Sequence, residues 1–309
     1  MAKVNVGVVG VGYLGSLHAR VYSQLKNANL VCVCDIDKKH AKKVAKKYRV
    51  WYFPEYQTLF DKVDAVSIAV PTSLHYKIAK EFLSNGIHVL IEKPITKTLS
   101  EAQELIDIAD SKRLTIQVGH IERFNPVVRA VAPLLRNPRF IECHRAGPYS
   151  EKKRVKDVGV VLDLMIHDID IILSLVNSDV RTIDAVGVST ISNHEDTANV
   201  RLTFKNGAIA DITASRVTKE AVRKIKISQE GSYITLDYLH HDAYIVRKSH
   251  GKVSKEKIKI EKKEPLKLEL KSFISSIQNK RRPIVSGREG KLALSVALDI
   301  LKKIKSSEA

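Results

Sequence analysis

The chain has 309 residues, of which 44% are hydrophobic and 28% are charged, a composition typical of a globular protein with about two domains. Its 52 Lys and Arg residues outnumber its 34 Asp and Glu residues, so the formal net charge is +18 at pH 7. The excess lies in Lys-rich segments without a nucleic-acid motif. We therefore predict no nucleic-acid partner and a basic surface that favours anionic substrates.

Several sequence features bear on the compartment. No apolar run approaches the ~20 residues that cross a bilayer, and the N-terminal residues lack the pattern of a signal peptide. The three cysteines show neither metal nor disulfide spacing. We expect a cytoplasmic protein without a membrane partner or a metal site.

The first apolar segment runs directly into a glycine-rich turn. "KVNVGVV" is followed by "GVGYLG" and then by the amphipathic stretch "SLHARVYSQL". This is G-x-G-x-x-G between a strand and a helix, the arrangement that binds a dinucleotide pyrophosphate. The predicted cofactor-binding residues of this turn are Gly10, Gly12, Tyr13, Leu14 and Gly15.

A second apolar strand, "LVCVCD", ends in Asp35, about 20 residues after Gly15. An acid at this place accepts hydrogen bonds from the adenosine ribose and repels a 2′-phosphate, which favours NAD over NADP. Lys38 and Lys39 follow closely and weaken that discrimination.

Strands and helices then alternate, which predicts an α/β Rossmann domain with a doubly wound parallel sheet over residues 1–121. A capping box at 100–103 is expected to open one of the helices. Ligands of such sheets bind at the carboxyl ends of the strands. The polar or turn residues predicted at these ends are Pro71, Thr72, His75, Glu92, Lys93 and His120.

Lys93 directly follows the buried strand "IHVLIE". One interpretation is a lysine that reaches solvent in an ion pair with Glu92, and the other is a catalytic lysine. His18, on the first helix, is interpreted as a packing or capping residue.

From residue 122 the pattern changes to consecutive alternating strands without helices between them. We predict an α+β domain with a mostly antiparallel, open-faced sheet over residues 122–309. Residues 251–264 are the best loop candidate, and a helix at about 287–306 is expected to pack back near the first domain. A further helix carries Asp163 and His167 at i and i+4, hence on one face. They form either an idle exposed pair or a functional pair.

The motifs together resemble the glucose–fructose oxidoreductase and inositol dehydrogenase (Gfo/Idh/MocA) family. They are G-x-G-x-x-G, Asp35, "PTSLH" at 71–75, "EKP" at 92–94 and "DLMIH" at 163–167, and their order and spacing match over essentially the whole chain. The resemblance implies hydride transfer from a sugar or polyol hydroxyl to NAD. It implies a catalytic set of Lys93, Asp163 and His167, with His167 as the base.

The resemblance also implies a homodimer or homotetramer and a substrate site near "GHIERFNP" at 119–126. His120, Arg123 and Asn125 are the predicted substrate-binding residues there, together with Lys93, Asp163 and His167. Arg123 would hold a phosphate or pair with Glu122. The alternative is that this segment only ties the two domains together.

Within the family, these segments look like the branch that acts on UDP-N-acetylglucosamine and oxidises its 3-hydroxyl to a ketone. Such a product would go to an aminotransferase and feed amino-sugar glycans of the lipid A type. Two alternatives stay open: a dehydrogenase of a free polyol or aldose, and a non-catalytic NAD-binding regulator.

Overall fold

The computed structural model describes residues 2–148, 158–249 and 252–307. The chain forms two compact units of similar size. The first comprises Met1–Ile121 and Glu264–Lys291, and the second comprises Glu122–Lys263 and Leu292–Ala309. No helix within the described residues is long and apolar enough to cross a membrane.

The first unit contains a six-stranded parallel sheet in the order β3-β2-β1-β4-β5-β6. The order reverses direction between β1 and β4, as in a Rossmann fold. The strands are β1 (Val4–Val9), β2 (Ala28–Cys34), β3 (Trp51–Phe53), β4 (Ala65–Ile68), β5 (His88–Glu92) and β6 (Ile116–Gly119). The predicted α/β class of this part is confirmed.

The helices of this unit are α1 (Tyr13–Tyr22), α2 (Lys38–Tyr48), α3 (Thr72–Ser84), α4 (Leu99–Ser111) and α7 (Pro265–Gln278). The capping box of α4 lies two residues before the predicted one. Thr98 is the N-cap, its hydroxyl accepts from the Glu101 N–H, and the Glu101 carboxylate accepts from the Thr98 N–H. Because T-x-x-E at 98–101 satisfies both ends of the box, Ser100 lies within the helix.

Helix α7 belongs to the first unit, although residues 264–291 fall in the range that the sequence assigned to the second domain. The helix buries an apolar stripe in the same core as β1 and α1, formed by Leu266, Leu270, Phe273 and Ile274. Residues 287–291, the start of the expected C-terminal helix, also belong to the first unit, where Arg288 pairs with Asp110 of α4 at 2.8 Å, so this helix begins against the first domain as expected. The expected C-terminal helix, α8 (Gly287–Ser307), places Ala297, Ile300 and Ile304 in the core of the second unit.

The second unit contains an eight-stranded sheet in the order β14-β13-β12-β11-β7-β10-β9-β8. Only the β7–β10 pair is parallel among the described pairings, so the predicted mostly antiparallel sheet is confirmed. The strands are β7 (Pro138–Ala146), β8 (Val180–Val188), β9 (Thr197–Phe204), β10 (Ile209–Ser215), β11 (Val222–Gln229), β12 (Ser232–Asp237), β13 (Asp242–Ser249) and β14 (Lys252–Lys257).

Two helices join α8 in this unit, α5 (Pro126–Val131) and α6 (Ile166–Val176). A π-helical turn, Val161–Met165, leads into α6. The loop predicted for 251–264 is wrong in part, because β14 occupies residues 252–257 as an edge strand with exposed side chains. Lysines are common on edge strands because their charge opposes pairing with another chain, so a Lys-rich segment is compatible with a strand there.

Candidate active site

The carboxyl ends of neighbouring strands in the first unit carry the residues that the sequence singled out. Asp35 follows β2, Gly10 follows β1, Pro71 comes three residues after β4, Lys93 follows β5 and His120 follows β6. Parallel strands end at the same edge of a sheet, so these residues form a row along one edge of the first unit.

The glycine turn is built for close backbone approach. Gly10 has φ +81°, and a Cβ on it would lie 2.5 Å from the Ala69 carbonyl oxygen. A Cβ on Gly15 would lie 1.7 Å from the Gly10 carbonyl oxygen. Neither position accommodates a side chain without moving the backbone. The turn therefore keeps the shape that a pyrophosphate requires, and its residues fit a dinucleotide.

Helix α1 begins at Tyr13, within the G-x-G-x-x-G motif, with Gly12 as its N-cap. Gly12 supplies no side-chain cap, and the first turn of the helix holds no acidic residue. The amide N–H groups and the partial positive charge of the helix end therefore remain available to phosphate. Tyr13 and Leu14 are 68% and 43% exposed beside them.

Asp35 lies at the edge of the sheet formed by the carboxyl ends of the strands, which we call the cofactor edge, and it also hydrogen-bonds to the backbone of the glycine turn. Its Oδ2 accepts a hydrogen bond from the Val11 N–H at 2.9 Å, and its Oδ1 accepts one from the Asp37 N–H at 3.0 Å. A carboxylate has about four acceptor positions, so these two bonds leave capacity for ligand hydroxyls.

His40, on α2, was missed by the sequence analysis. Its Nε2 donates to the Val11 carbonyl oxygen at 2.7 Å, so the Val11 residue is held by Asp35 through its N–H and by His40 through its carbonyl. No local signal marks His40, because it lies inside a Lys-rich helix and its partner is 29 residues away.

The Pro71–His75 segment begins α3, with Pro71 as the N-cap. His75 is buried, and its Nδ1 and Nε2 each lie 2.9 Å from a carbonyl oxygen, of Pro94 and Val70 respectively. Burial lowers the pKa of His75 more than the two carbonyl groups raise it, so the ring is neutral near pH 7 and donates to one of them. The structure thus gives this predicted cofactor residue a role in joining the ends of β4 and β5.

Glu92 ends β5, and its Oε1 lies 3.0 Å from His18 Nε2 on α1. The backbone N–H of Lys93 lies 3.4 Å from Glu92 Oε2. Burial would raise the pKa of the Glu92 carboxyl, but the hydrogen bond with His18 and the electrostatic effects of His18 and Lys93 outweigh it, and the pKa is lowered. His18 is therefore the hydrogen-bond partner of a site residue rather than a packing residue alone.

His120, predicted to bind substrate, follows β6 and is buried. Its backbone N–H donates to the Val118 carbonyl oxygen at 2.8 Å.

In the second unit, Asp163 lies in the π-helical turn and His167 lies in the first turn of α6. The sequence predicted a regular α-helix through both. Both side chains are half-buried, and the Asp163 N–H donates to the Gly159 carbonyl oxygen at 3.1 Å. Single π-helical turns inside helices occur frequently at functional sites.

A buried charge network fixes the helix that carries His167. Asp168, the next residue, is fully buried and receives two bonds from Arg145 on β7, at 2.7 Å from Nε and 3.0 Å from Nη2. The Tyr238 hydroxyl donates to Asp168 at 2.5 Å, and Arg145 also contacts Glu122 at 3.3 Å. Burial raises the pKa of Tyr238 well above its usual value, so the hydroxyl remains a donor.

The two other residues predicted to bind substrate have protein partners in this unit. Arg123 Nη1 lies 3.3 Å from Asp170 on α6, so its carboxylate partner is not the expected Glu122. Asn125 is 4% exposed; its side chain accepts from the Val127 N–H and donates to Glu122. These bonds lie within the interior of the second unit, and the substrate-binding role of Asn125 stays a prediction.

Comparison with known proteins agrees with this fold and these motifs. The model of the oxidoreductase family with an NAD-binding Rossmann fold (GFO/IDH/MocA) matches residues 4–120, and the model of the GFO/IDH/MocA C-terminal domain matches residues 135–247. The chain belongs to the GFO/IDH/MocA family and is a nicotinamide-dependent oxidoreductase.

Among its relatives, UDP-N-acetylglucosamine 3-dehydrogenase of Acidithiobacillus ferrooxidans is 34% identical over 97% of both chains. A solved structure of that enzyme has a TM-score of 0.94, with 33% identity and 99% coverage of both chains. The NAD-dependent scyllo-inositol 2-dehydrogenase of Bacillus subtilis is 28% identical over 96% of this chain and 92% of its own.

Proposed function

We propose that the protein oxidises the 3-hydroxyl of UDP-N-acetylglucosamine to a ketone with NAD as hydride acceptor. The observation that carries this proposal is the near full-length likeness to an enzyme named for that reaction, at 34% identity over 97% of both chains. In this proposal the range 1–121 forms the cofactor domain, and 122–309 supplies the substrate domain, with 264–291 built into the first unit.

NAD would bind along the strand-end edge of the first unit. The glycine turn and the uncapped start of α1 would hold the pyrophosphate, and Asp35 would accept from the adenosine ribose hydroxyls. The carboxylate of Asp35 would repel a 2′-phosphate, which is the basis for proposing NAD rather than NADP. When bound, the nicotinamide supplies the hydride acceptor.

Three side chains would carry the proton chemistry. His167 would take the proton of the reacting hydroxyl, since imidazole titrates near neutral pH. Asp163 would orient that ring, and Lys93 would stabilise the developing alkoxide. The network around Asp168 and Arg145 supports this assignment, because it holds the helix of His167 with buried, charge-assisted bonds.

The product, a 3-keto nucleotide sugar, is the substrate type of an aminotransferase, which would replace the ketone oxygen with an amino group. The alternative substrate class, a free polyol such as an inositol, is favoured by the likeness to scyllo-inositol 2-dehydrogenase, which is lower in identity.

The test is incubation with NAD and UDP-N-acetylglucosamine, with NADH absorbance as readout and a ketone trap present because the oxidation is uphill. We expect NADH and a trapped 3-keto nucleotide sugar. Lys93→Met and His167→Asn should each lower kcat by about 10²–10⁴-fold while NAD still binds.

Matched controls are Lys97→Met, an exposed lysine of the same loop, and His144→Asn, an exposed histidine on β7. Both should leave turnover unchanged. Full turnover in the Lys93 and His167 variants would refute the catalytic assignment. NADH formation with inositols but not with UDP-N-acetylglucosamine would show that the substrate is a free polyol and not the nucleotide sugar.

A further inference from the structure

A cavity of about 680 Å³ lies in the first unit, away from the cofactor edge. Its wall includes His88, the first residue of β5, and Ile116, the first residue of β6. Lys93, at the cofactor edge, follows the opposite end of β5. At about 3.3 Å per residue the two ends of this strand are about 13 Å apart. The cavity is therefore separate from the predicted dinucleotide site.

Five cationic side chains line this cavity and only one carboxylate does, that of Asp110. The cations are Arg113, Lys280, Arg281, Arg282 and Arg288. We call the site the basic cavity. Arg288 pairs with Asp110 at 2.8 Å, and Arg282 pairs with Glu289 at 2.5 Å. Within the described residues, no carboxylate pairs with the other three cations.

Two of these cations occupy left-handed backbone positions, which Gly and Asn adopt more readily than Arg or Lys. Arg113 follows the C-cap of α4 with φ +56°, and Lys280 follows the C-cap of α7 with φ +50°. This left-handed position after a helix is usually Gly, and sometimes Asn. A cation near a helix C-terminus is favoured by the helix dipole, which accounts for each one separately. The dipole does not account for two such helix ends meeting at one cavity.

The rest of the wall combines an apolar surface with a hydrogen-bond donor. Ile106, Leu114, Ile277 and Pro283 contribute the apolar part. His88 Nδ1 accepts from the Thr115 N–H at 2.8 Å, and burial lowers the pKa of His88, so the neutral ring carries its proton on Nε2. The cavity thus offers apolar contact, one imidazole N–H and a concentrated positive charge.

We propose that the basic cavity binds a nucleotide-sized small molecule with two or more phosphate groups. The phosphates would contact the cations at the rim, and the nucleoside would pack on the apolar wall. The volume lies within the roughly 300–1,000 Å³ of small-molecule sites. Arginine is suited to the phosphates, because its planar guanidinium binds such oxygens in pairs. This proposal is independent of the dehydrogenase reaction.

The experiment is calorimetric titration of the full chain, saturated with NAD, with ATP and with inorganic tripolyphosphate as separate probes, at about 0.15 M salt. We expect one ATP per chain. ATP should bind more tightly than tripolyphosphate, because only ATP contacts the apolar wall. Hydrogen exchange should slow at 110–116 and 277–288 when ATP binds.

The test variant is Arg113→Gly, Lys280→Asn and Arg281→Gln combined. Gly and Asn suit the left-handed positions, so we expect an unchanged or higher melting temperature while ATP binding weakens by about tenfold for each lost charge-assisted bond. The matched control, Lys248→Gln with Lys252→Gln and Lys255→Gln, removes three exposed charges from β13 and β14.

The control should bind ATP like the wild type. The proposal is overturned if neither probe binds, if both triple variants weaken binding equally, or if exchange slows elsewhere but not at 110–116 and 277–288. It is also overturned if duplex DNA binds at these segments and ATP does not. Because the readouts are binding and exchange, an absence of dehydrogenase activity would leave the result intact.

Discussion

Glu92 Oε1 lies 3.0 Å from His18 Nε2, and this contact joins the end of β5 to the helix that follows the glycine turn. Glu92 is packed closely from the other side as well, since a Cβ on Gly119 of β6 would lie 2.9 Å from Glu92 Oε2. The residue before Lys93 is therefore held by two other elements of the first unit.

This contact predicts an acid dependence of stability. The pKa of Glu92 is lowered on folding, so the hydrogen bonding of its carboxylate contributes fully above the unfolded pKa of about 4.3 and is lost as pH falls through the folded pKa. Glu92→Gln should lower the free energy of unfolding by about 1.5–3 kcal/mol at pH 7, the range for a hydrogen bond to a charged group.

The measurement is urea unfolding of both proteins from pH 7 to pH 3. The difference between wild type and variant should shrink only below about pH 4–5. The exposed Glu55→Gln is the control and should show no such difference. A constant Glu92→Gln effect across the whole range would contradict the prediction.

Gly15→Ala should strongly weaken NAD binding. The added Cβ would lie 1.7 Å from the Gly10 carbonyl oxygen, so the turn must move. We expect the Kd for NAD to rise by about 100-fold or more, equivalent to about 2.8 kcal/mol.

Gly86→Ala is the matched control, because Gly86 has φ +79° but nothing within 4 Å of the added Cβ. It should cost about 1 kcal/mol of stability and leave NAD affinity unchanged. Wild-type affinity in Gly15→Ala would show that the turn does not hold the cofactor.

Removing one partner of the buried Arg145–Asp168 pair should be strongly destabilising. Arg145→Met leaves the fully buried Asp168 carboxylate without its main counterion, at a cost of about 3–5 kcal/mol. Adding Asp168→Leu should recover much of this loss, because the fully buried carboxylate is then removed, while Glu122, the other carboxylate near Arg145, keeps Arg223 at 3.6 Å.

The control pair is Arg201 and Asp211, which lie 2.7 Å apart on β9 and β10 with side chains 55% and 28% exposed. Arg201→Met should cost less than about 1 kcal/mol. Denaturant unfolding of the single and double variants gives the coupling energy. Equal losses at the buried and the exposed pair would refute the role given to burial.

Asp35→Ser should shift cofactor preference toward NADP, since it removes the charge that repels a 2′-phosphate. The variant also loses the acceptor of the Val11 N–H, so NAD affinity should fall as well. We expect the ratio of kcat/KM for NAD over NADP to fall by about tenfold or more, or about 1.4 kcal/mol. Asp35→Asn, which keeps size and one acceptor, separates charge from loop support. An unchanged ratio in both variants would show that Asp35 does not select the cofactor.

Much of the first unit follows from local sequence. The glycine turn, the apolar strands that end at Asp35 and Glu92, and the alternation with helices predicted the Rossmann sheet and the edge at which its polar residues lie. These features are local, because strand burial and turn geometry depend on residues close together in the chain. The family motifs then identified Lys93, Asp163 and His167 as candidates.

Tertiary structure decided the features that depend on distant partners. His18 pairs with Glu92 across 74 residues, and Arg145 meets Tyr238 across 93. Helix α7 joins the first unit although it follows the second sheet in the chain. A single side chain gives no periodic signal, and one apolar stripe does not specify which core it will enter. Packing in three dimensions determines those partners, and it determined the assembly of the basic cavity in the same way.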